Sequence, residues 1–537
     1  MISTVRKNAV LAALLGSLLI VLSPFAAGTA KAQITPFMQA VAEATAKDPD
    51  VAAFYRGNGY TPIWTGQGPE HRDRRAALLK ALGNAGDHAL PVGRYNLDLL
   101  TASLRSIGSE RELGRVEVEL SRLFLTYARD VQTGILTPKE IDSDIVREVP
   151  LRDRTELLQA FAKSAPAPFL RALPPSSPEY ARLLKAKVQL ENQLDSGGWG
   201  PTVPARALKP GQDGPAVVAL RNRMIAMGYM KRSASSTYDV ALQKAVQLFQ
   251  YDHGLATDGV AGPGTMAQIN KQIEDRLPSV LAAIERERWI NMDKGERYIW
   301  VNLADFRTRM IDKGEIVYET KSVIGKDAYH RRSPEFSDQM EYMVINPNWY
   351  VPNTIARSEY LPKMLANPAA AGHLQLIDRR GRVVSRGAVD FSRYTVNSFP
   401  FNLRQPPGRS NALGYVKFMF PNPYNIYLHD TPAKNLFNAD KRDFSWGCIR
   451  LQKPFEFAYK LLERQESDPV AFFQARLNSG ENTRVDLETP VPVHLVYRTA
   501  YTSAKGRLYF RDDIYGRDAK IYDALVRAGV ALRPVRS

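Results

Sequence analysis

The spacing of apolar residues changes character along the chain. From Glu110 to Val131, the residues Leu113, Val116, Leu120, Leu123, Tyr127 and Val131 recur at intervals of three and four. That spacing lays one apolar stripe along a helix. Gly134 closes the helix and Pro138 follows it, the usual order of stop signals. A second helix is predicted from Ser177-Pro178, cap and first turn, to Leu194, with Ser196-Gly197-Gly198 behind it. Residues 36–200 as a whole read as helical. Residues 206–272 read as three short helices. One stripe holds Val217, Leu220, Met224 and Met227, and another holds Leu242, Val246 and Phe249. The third helix starts near Gly262-Pro263, after the turn-rich link His253–Gly259.

Near Arg297 the pattern switches to short β-rich runs: 298–303, 314–324 and 341–345. Pro347–Pro352 interrupts them, and a mixed, Gly- and Pro-containing excursion follows before Gly414–Phe418 resumes the strand pattern. A helix is predicted from Pro454 with Phe457, Tyr459, Leu461 and Leu462 on it. His494 alternates with Val493 and Leu495, which sets it on a strand, facing solvent or filling a polar gap.

The first residues change the picture of where the chain works. Arg6 and Lys7 precede an apolar run from Ala9 to Leu22, and Ala30-Lys31-Ala32 has the form of a cleavage site. Residues 1–32 are therefore expected to be a signal peptide. The rival is an uncleaved inner-membrane anchor; the run is broken by Asn8, Gly16, Ser17, Ser23 and Pro24, whereas spanning takes about 20 apolar residues. After cleavage no integral membrane protein is expected. The formal net charge of +16 suits anionic wall polymers or membrane surfaces. Its Lys and Arg are scattered rather than clustered, and with the export signal this argues against nucleic acid.

Export in turn sharpens the meaning of Cys448, the only cysteine in 537 residues. Exported proteins use cysteines in pairs, and one alone has no internal partner. Its free pKa of about 8.5 leaves few per cent thiolate at neutral pH, so it needs a base to become a nucleophile. His429 lies nineteen positions upstream, at the end of the apolar run Ile426-Tyr427-Leu428. Two strand ends joined by a long polar connection would bring imidazole and sulfur together. Gly447 lets a substrate approach the backbone, and the Cys448 amide, with Gly447's, is a candidate oxyanion donor. Taken singly, a lone cysteine is a small buried hydrophobe and a lone histidine is structural. Seven histidines and one cysteine show no zinc-site spacing.

The run H-D-T-P, then L-F, then R-x-x-S-x-G-C-I-R at residues 429–450 resembles the catalytic signature of the L,D-transpeptidase (YkuD-type) family. The match is nearest to its large YcbB-like Gram-negative subgroup. The resemblance implies Cys448 as nucleophile, His429 as general base and acid, and Ser445 and Gly447 at flanking motif positions. Trp446 and Arg450 stand where the common pattern has histidine and asparagine; that subgroup likewise lacks the histidine and carries the arginine. The runs FYRGNGYTPIW (54–64) and TYARDVQTGILTP (126–138) resemble the subgroup's scaffold domain, and residues 491–525 its C-terminal segment. Residues 245–265 resemble peptidoglycan-binding domain 1, although the glycines and Asp258 would also serve a purely structural turn.

Together these readings imply a multidomain α+β protein. A signal peptide (1–32) precedes a helical scaffold (33–205) and a small three-helix wall-binding module (206–272). A mainly β catalytic domain (273–485) follows, with a lid insertion at about 355–400, and a C-terminal segment (486–537) packs on it. The implied reaction is acyl transfer on peptidoglycan: a Cys448 thioester with a tetrapeptide stem, release of D-alanine, and transfer to an amine for a 3-3 cross-link. The same acyl-enzyme could instead attach an outer-membrane protein, or pass to water as a carboxypeptidase or endopeptidase. A non-enzymatic wall-binding scaffold is the third reading. Tyr427, Ser445, Trp446 and Arg450 are the candidate substrate-binding residues; Arg450 either pairs with a stem carboxylate or braces its loop. No metal and no organic cofactor is implied. The expected location is the periplasm.

Overall fold

The computed structural model describes residues 34–530; the expected signal peptide lies outside them. Among the described residues no helix is long and apolar enough to cross a membrane.

The N-terminal part is a helical body around the helix Glu110–Thr133, capped by Ser109, whose side chain accepts from the Glu112 amide. Val116, Leu120, Tyr127 and Val131 of the expected stripe are buried in its core. The helix Pro178–Asp195 starts as expected, with the Ser177 hydroxyl accepting from the Tyr180 amide and Pro178 in the first turn. The helix Ile273–Trp289 and the last helix, Arg517–Arg527, also bury apolar residues in this body. The three-helix module has its own small core of Val217, Leu220, Met224, Leu242, Val246 and Phe249. His253 ends its second helix and stacks on Phe249 at 3.8 Å.

The β domain is built from β1 (Arg297–Asn302), β2 (Arg307–Asp312), β3 (Glu315–Gly325) and β4 (Phe336–Ile345). Next come the short strands β5 (Trp349–Tyr350), β6 (Gln375–Ile377), β7 (Val383–Val384) and β8 (Asn402–Gln405). Then follow β9 (Val416–Met419), β10 (Leu428–His429), β11 (Asp443–Ser445), β12 (Ile449–Leu451), β13 (Thr483–Val496), β14 (Ala500–Thr502) and β15 (Leu508–Phe510). Nine of these make one sheet in the order β11-β3-β12-β10-β9-β4-β13-β1-β2. The long strand β3 spends its first half on β2 and its last residues on β12 and β11, so the sheet curls into a closed circuit. Its inward face, with Leu428, Ile449, Phe418 and Met343, packs with the helix Pro454–Leu462 into one apolar core. His494 sits in β13, buried, and its Nδ1 meets the Ser337 hydroxyl at 2.7 Å. It fills a polar gap rather than facing solvent.

The excursion between β4 and β9 folds as a subdomain of its own. Its four-stranded sheet runs β5-β8-β6-β7, and its core joins Trp349, Leu361, Leu376, Phe391 and Leu403. Tyr427 and Trp446 pack against that core from below, so this lid rests on the segment that carries the sequence motif.

Candidate active site

β10 and β12 are parallel neighbours, with Leu428 opposite Ile449 and His429 opposite Arg450. The residues just before them, Tyr427 and Cys448, continue the register, and the Ile449 amide donates to the Tyr427 carbonyl at 3.1 Å. Side chains of register partners share a face, as do residues two apart. Tyr427, His429, Cys448 and Arg450 therefore project from one face, with Tyr427 and Cys448 also touching the edge of the apolar core. On such a face, diagonal neighbours lie about 7–8 Å apart by backbone, within reach of a long side chain. His429 and Cys448 are diagonal neighbours of this kind. β9 adds Lys417 directly opposite His429. One rung across three strands thus reads Lys417, His429, Arg450, closed at its ends by Val344 and Val323.

The backbone around the thiol is held from within the motif. Gly447 adopts φ +108°, open to glycine and rarely to other residues, and an added Cβ would meet Ile426 at 3.0 Å. Ser445 is buried, and its hydroxyl is fully used: it accepts from the Gly447 amide at 3.1 Å and donates to the Cys448 carbonyl at 2.6 Å. The Gly447 carbonyl accepts from Ser333 Oγ at 2.6 Å. Ser445 and Gly447 are thus the frame of the loop, and Gly447's amide is occupied. Among the described contacts the Cys448 amide has no acceptor. Trp446 is held from outside: its indole donates to Glu359 of the lid at 3.0 Å, and the Arg331 guanidinium lies 3.4 Å from its ring centre. Arg331 also donates to Glu359 at 2.8 Å.

Electrostatics keep both members of the candidate pair neutral at rest. Burial pushes the Cys448 thiol up to about 11, moderated by hydrogen bonds from Tyr427 and by the charges of Arg450 and Lys417. Burial pushes His429 down to about 3; Arg450 adds to the effect and the carbonyls of Asp430 and Leu413 oppose it. The imidazole Nδ1 donates to the Asp430 carbonyl. The thiol's weak donor bond goes to the Asn425 carbonyl at 3.5 Å, and among the described residues no hydrogen bond joins sulfur to imidazole. The site holds a neutral imidazole and a neutral thiol on one face, with two cations in the imidazole's rung. Burial lowers Lys417 and Arg450 as well, and it is opposed for either of them only by the Cys448 sulfur when that is ionised.

Sequence reasoning missed Lys417 and Glu359. Lys417 looked like any polar residue in the run Val416–Met419, and its role depends on a register no motif records. Glu359 lies in the lid's first helical turns, far from the motif in sequence. Among the described residues no group of three or more His, Cys, Asp or Glu could hold a metal ion.

Comparison with known proteins agrees with the layout. Residues 296–493 match the L,D-transpeptidase catalytic domain (YkuD). Residues 213–269 match the "Putative peptidoglycan binding domain" and residues 49–186 the "Scaffold domain". The chain thus carries a YkuD-type L,D-transpeptidase catalytic domain behind a peptidoglycan-binding domain and a helical scaffold. A curated relative from Haemophilus influenzae, named "Putative L,D-transpeptidase", is 32% identical over 229 residues. That stretch is 42% of this chain and 45% of the relative, so the match spans less than half of the relative's length. A solved L,D-transpeptidase structure from Xylanimonas cellulosilytica is also similar, at 15% identity and a TM-score of 0.17, covering 55% of this chain and 100% of that one. A score that low does not bear on the fold.

Proposed function

We infer that this protein is an exported L,D-transpeptidase that works on peptidoglycan stem peptides through a thioester on Cys448. The observation that carries the reading is the shared face: the one thiol and a neutral imidazole project together from adjacent parallel strands. In the first half-reaction Cys448 Sγ attacks the carbonyl before the terminal D-alanine of a tetrapeptide stem. The S–C bond forms, the C–N bond breaks, and the thiol proton passes through His429 to the departing amine. In the second, an amine attacks the thioester, its proton returns through His429 to sulfur, and the stems are joined 3-3. The unpartnered Cys448 amide supplies the oxyanion contact, while Gly447 acts through its φ and Ser445 through its two hydrogen bonds. Tyr427 and Trp446 form the boundary between sheet and lid where the donor lies. Arg450 faces a donor carboxylate.

Intact-mass analysis with a carbapenem-type β-lactam tests the acyl-enzyme. One adduct per chain, lost in Cys448→Ala, is the expected result; an unmodified mass with a titratable thiol would remove the reading. Muropeptide analysis after incubation with tetrapeptide-rich wall material separates cross-linking from hydrolysis. Attachment of an outer-membrane protein is tested by adding such an acceptor to the same assay. The peptidoglycan-binding domain lies outside the catalytic face, so Cys448→Ala is expected still to sediment with sacculi.

A further inference from the structure

The rung Lys417–His429–Arg450 has an unusual charge pattern. Two cations flank the imidazole on adjacent strands, and the rung's outer members are the valines Val344 and Val323. Among the described residues neither cation has a carboxylate partner. Lys417 lies 5.8 Å from the centre of the Tyr427 ring, and the buried Nε of Arg450 has no hydrogen-bond partner. The nearest carboxylate along the chain, Asp430, is already engaged by Lys434 at 2.6 Å and by the amides of Thr431 and Tyr415. Holding two half-buried cations together costs desolvation and repulsion, which an anionic ligand would relieve.

The chemistry of transfer says which anion fits. The leaving group of acylation, D-alanine, carries its reacting amine and a carboxylate on one carbon. Deacylation by an amine is acylation run backwards with a different amine. A site that holds the departing carboxylate and sets its amine at His429 is vacant when the acceptor arrives. We propose that Lys417 and Arg450 form one α-carboxylate site, used in turn by the leaving group and the acceptor, so that the preferred acceptors are amines with a carboxylate on the same carbon. Lys417 is thereby a specificity residue. This deepens the L,D-transpeptidase reading and rests on it.

The test uses the full mature chain, a tetrapeptide stem donor, and two acceptors that differ only in charge: isotope-labelled D-alanine and D-alaninamide. D-alanine release and labelled product are both followed by mass. The wild type is expected to prefer D-alanine in acceptor kcat/KM by about tenfold or more, the scale of a hydrogen-bonded charge. Lys417→Met is expected to bring the ratio of the two acceptor kcat/KM values near one and to slow D-alanine release from the donor, since the same side chain serves both steps; Lys417→Arg is expected to keep the preference. Equal use of both acceptors by the wild type, or an unchanged ratio of acceptor kcat/KM values in Lys417→Met, overturns the inference alone. No D-alanine release from the donor overturns the parent reading as well.

Discussion

Two buried polar centres in this molecule make opposite use of charge. In the helical body, Glu117 is fully buried and saturated. Its carboxylate accepts from the Ile63, Trp64 and Thr65 amides, the Thr65 hydroxyl and the Tyr55 hydroxyl, at 2.6–3.2 Å. Ser121 completes the set by accepting from the Trp64 indole at 2.8 Å. On the face that carries Cys448, Lys417 and Arg450 flank a neutral imidazole from the two neighbouring strands, and among the described residues neither has a carboxylate partner. A saturated buried charge organises a fold; an unsaturated pair of like charges is a place where a ligand finishes the electrostatics. The difference separates structure from function without any appeal to motif.

The comparison can be broken at several points. The largest effect is expected from Cys448→Ala, which should lower donor acylation by about 10³-fold or more with the melting temperature within a few degrees of wild type. Glu117→Ala should do the reverse. Orphaning its donors costs about 3 kcal/mol or more, read as a clearly lower melting temperature, with turnover per folded molecule unchanged. If Glu117→Ala melts like the wild type, saturation is not what holds the scaffold loop 63–65. Lys417→Met should leave thermal stability equal or higher, because it removes a desolvated cation with no partner; a large loss would show that Lys417 is structural after all.

Reactivity should follow pH in a way the burial dictates. With the thiol near 11, its thiolate fraction grows about tenfold per pH unit well below that value. Alkylation of Cys448 by iodoacetamide should therefore rise from pH 7 to pH 9 without levelling off; a plateau near 8.5 would mean that the thiol is not desolvated at rest. The smallest effect is expected from Glu359→Gln. It weakens the clasp between lid and Trp446, and should raise alkylation at fixed pH by roughly two- to fivefold, given that exposed or half-exposed ion pairs contribute little.

Local pattern made some of this legible and distance in the chain hid the rest. The helix Glu110–Thr133 could be read end to end, because its stripe, cap and closing glycine are all local. Glu117 could not: between Val116 and Val118 it looks like surface charge, and its burial depends on the Ile63–Thr65 loop folding over it. Cys448 and His429 stand out in the sequence because a lone thiol with a paired motif is specific. Their common face needed the β10–β12 register, and Lys417 needed β9 as well. The lid was visible as an interruption, but its bounds are set by strand pairing: Trp349 opposite Gln405, and Tyr350 opposite Arg404, which mixed composition does not announce.

That pairing reaches further down. Ile345 of β4 lies opposite Val416 of β9, and the Asn346 amide donates to the Tyr415 carbonyl. The whole subdomain leaves and re-enters the barrel through two hydrogen-bonded neighbours, like an ornament grown from the tip of a hairpin. Such an outgrowth is a cassette: it could be exchanged for that of a cousin, or trimmed to a tight turn, while the strands beneath keep their partners. Selection could then reshape what is admitted to the thiol without renegotiating the architecture that carries it.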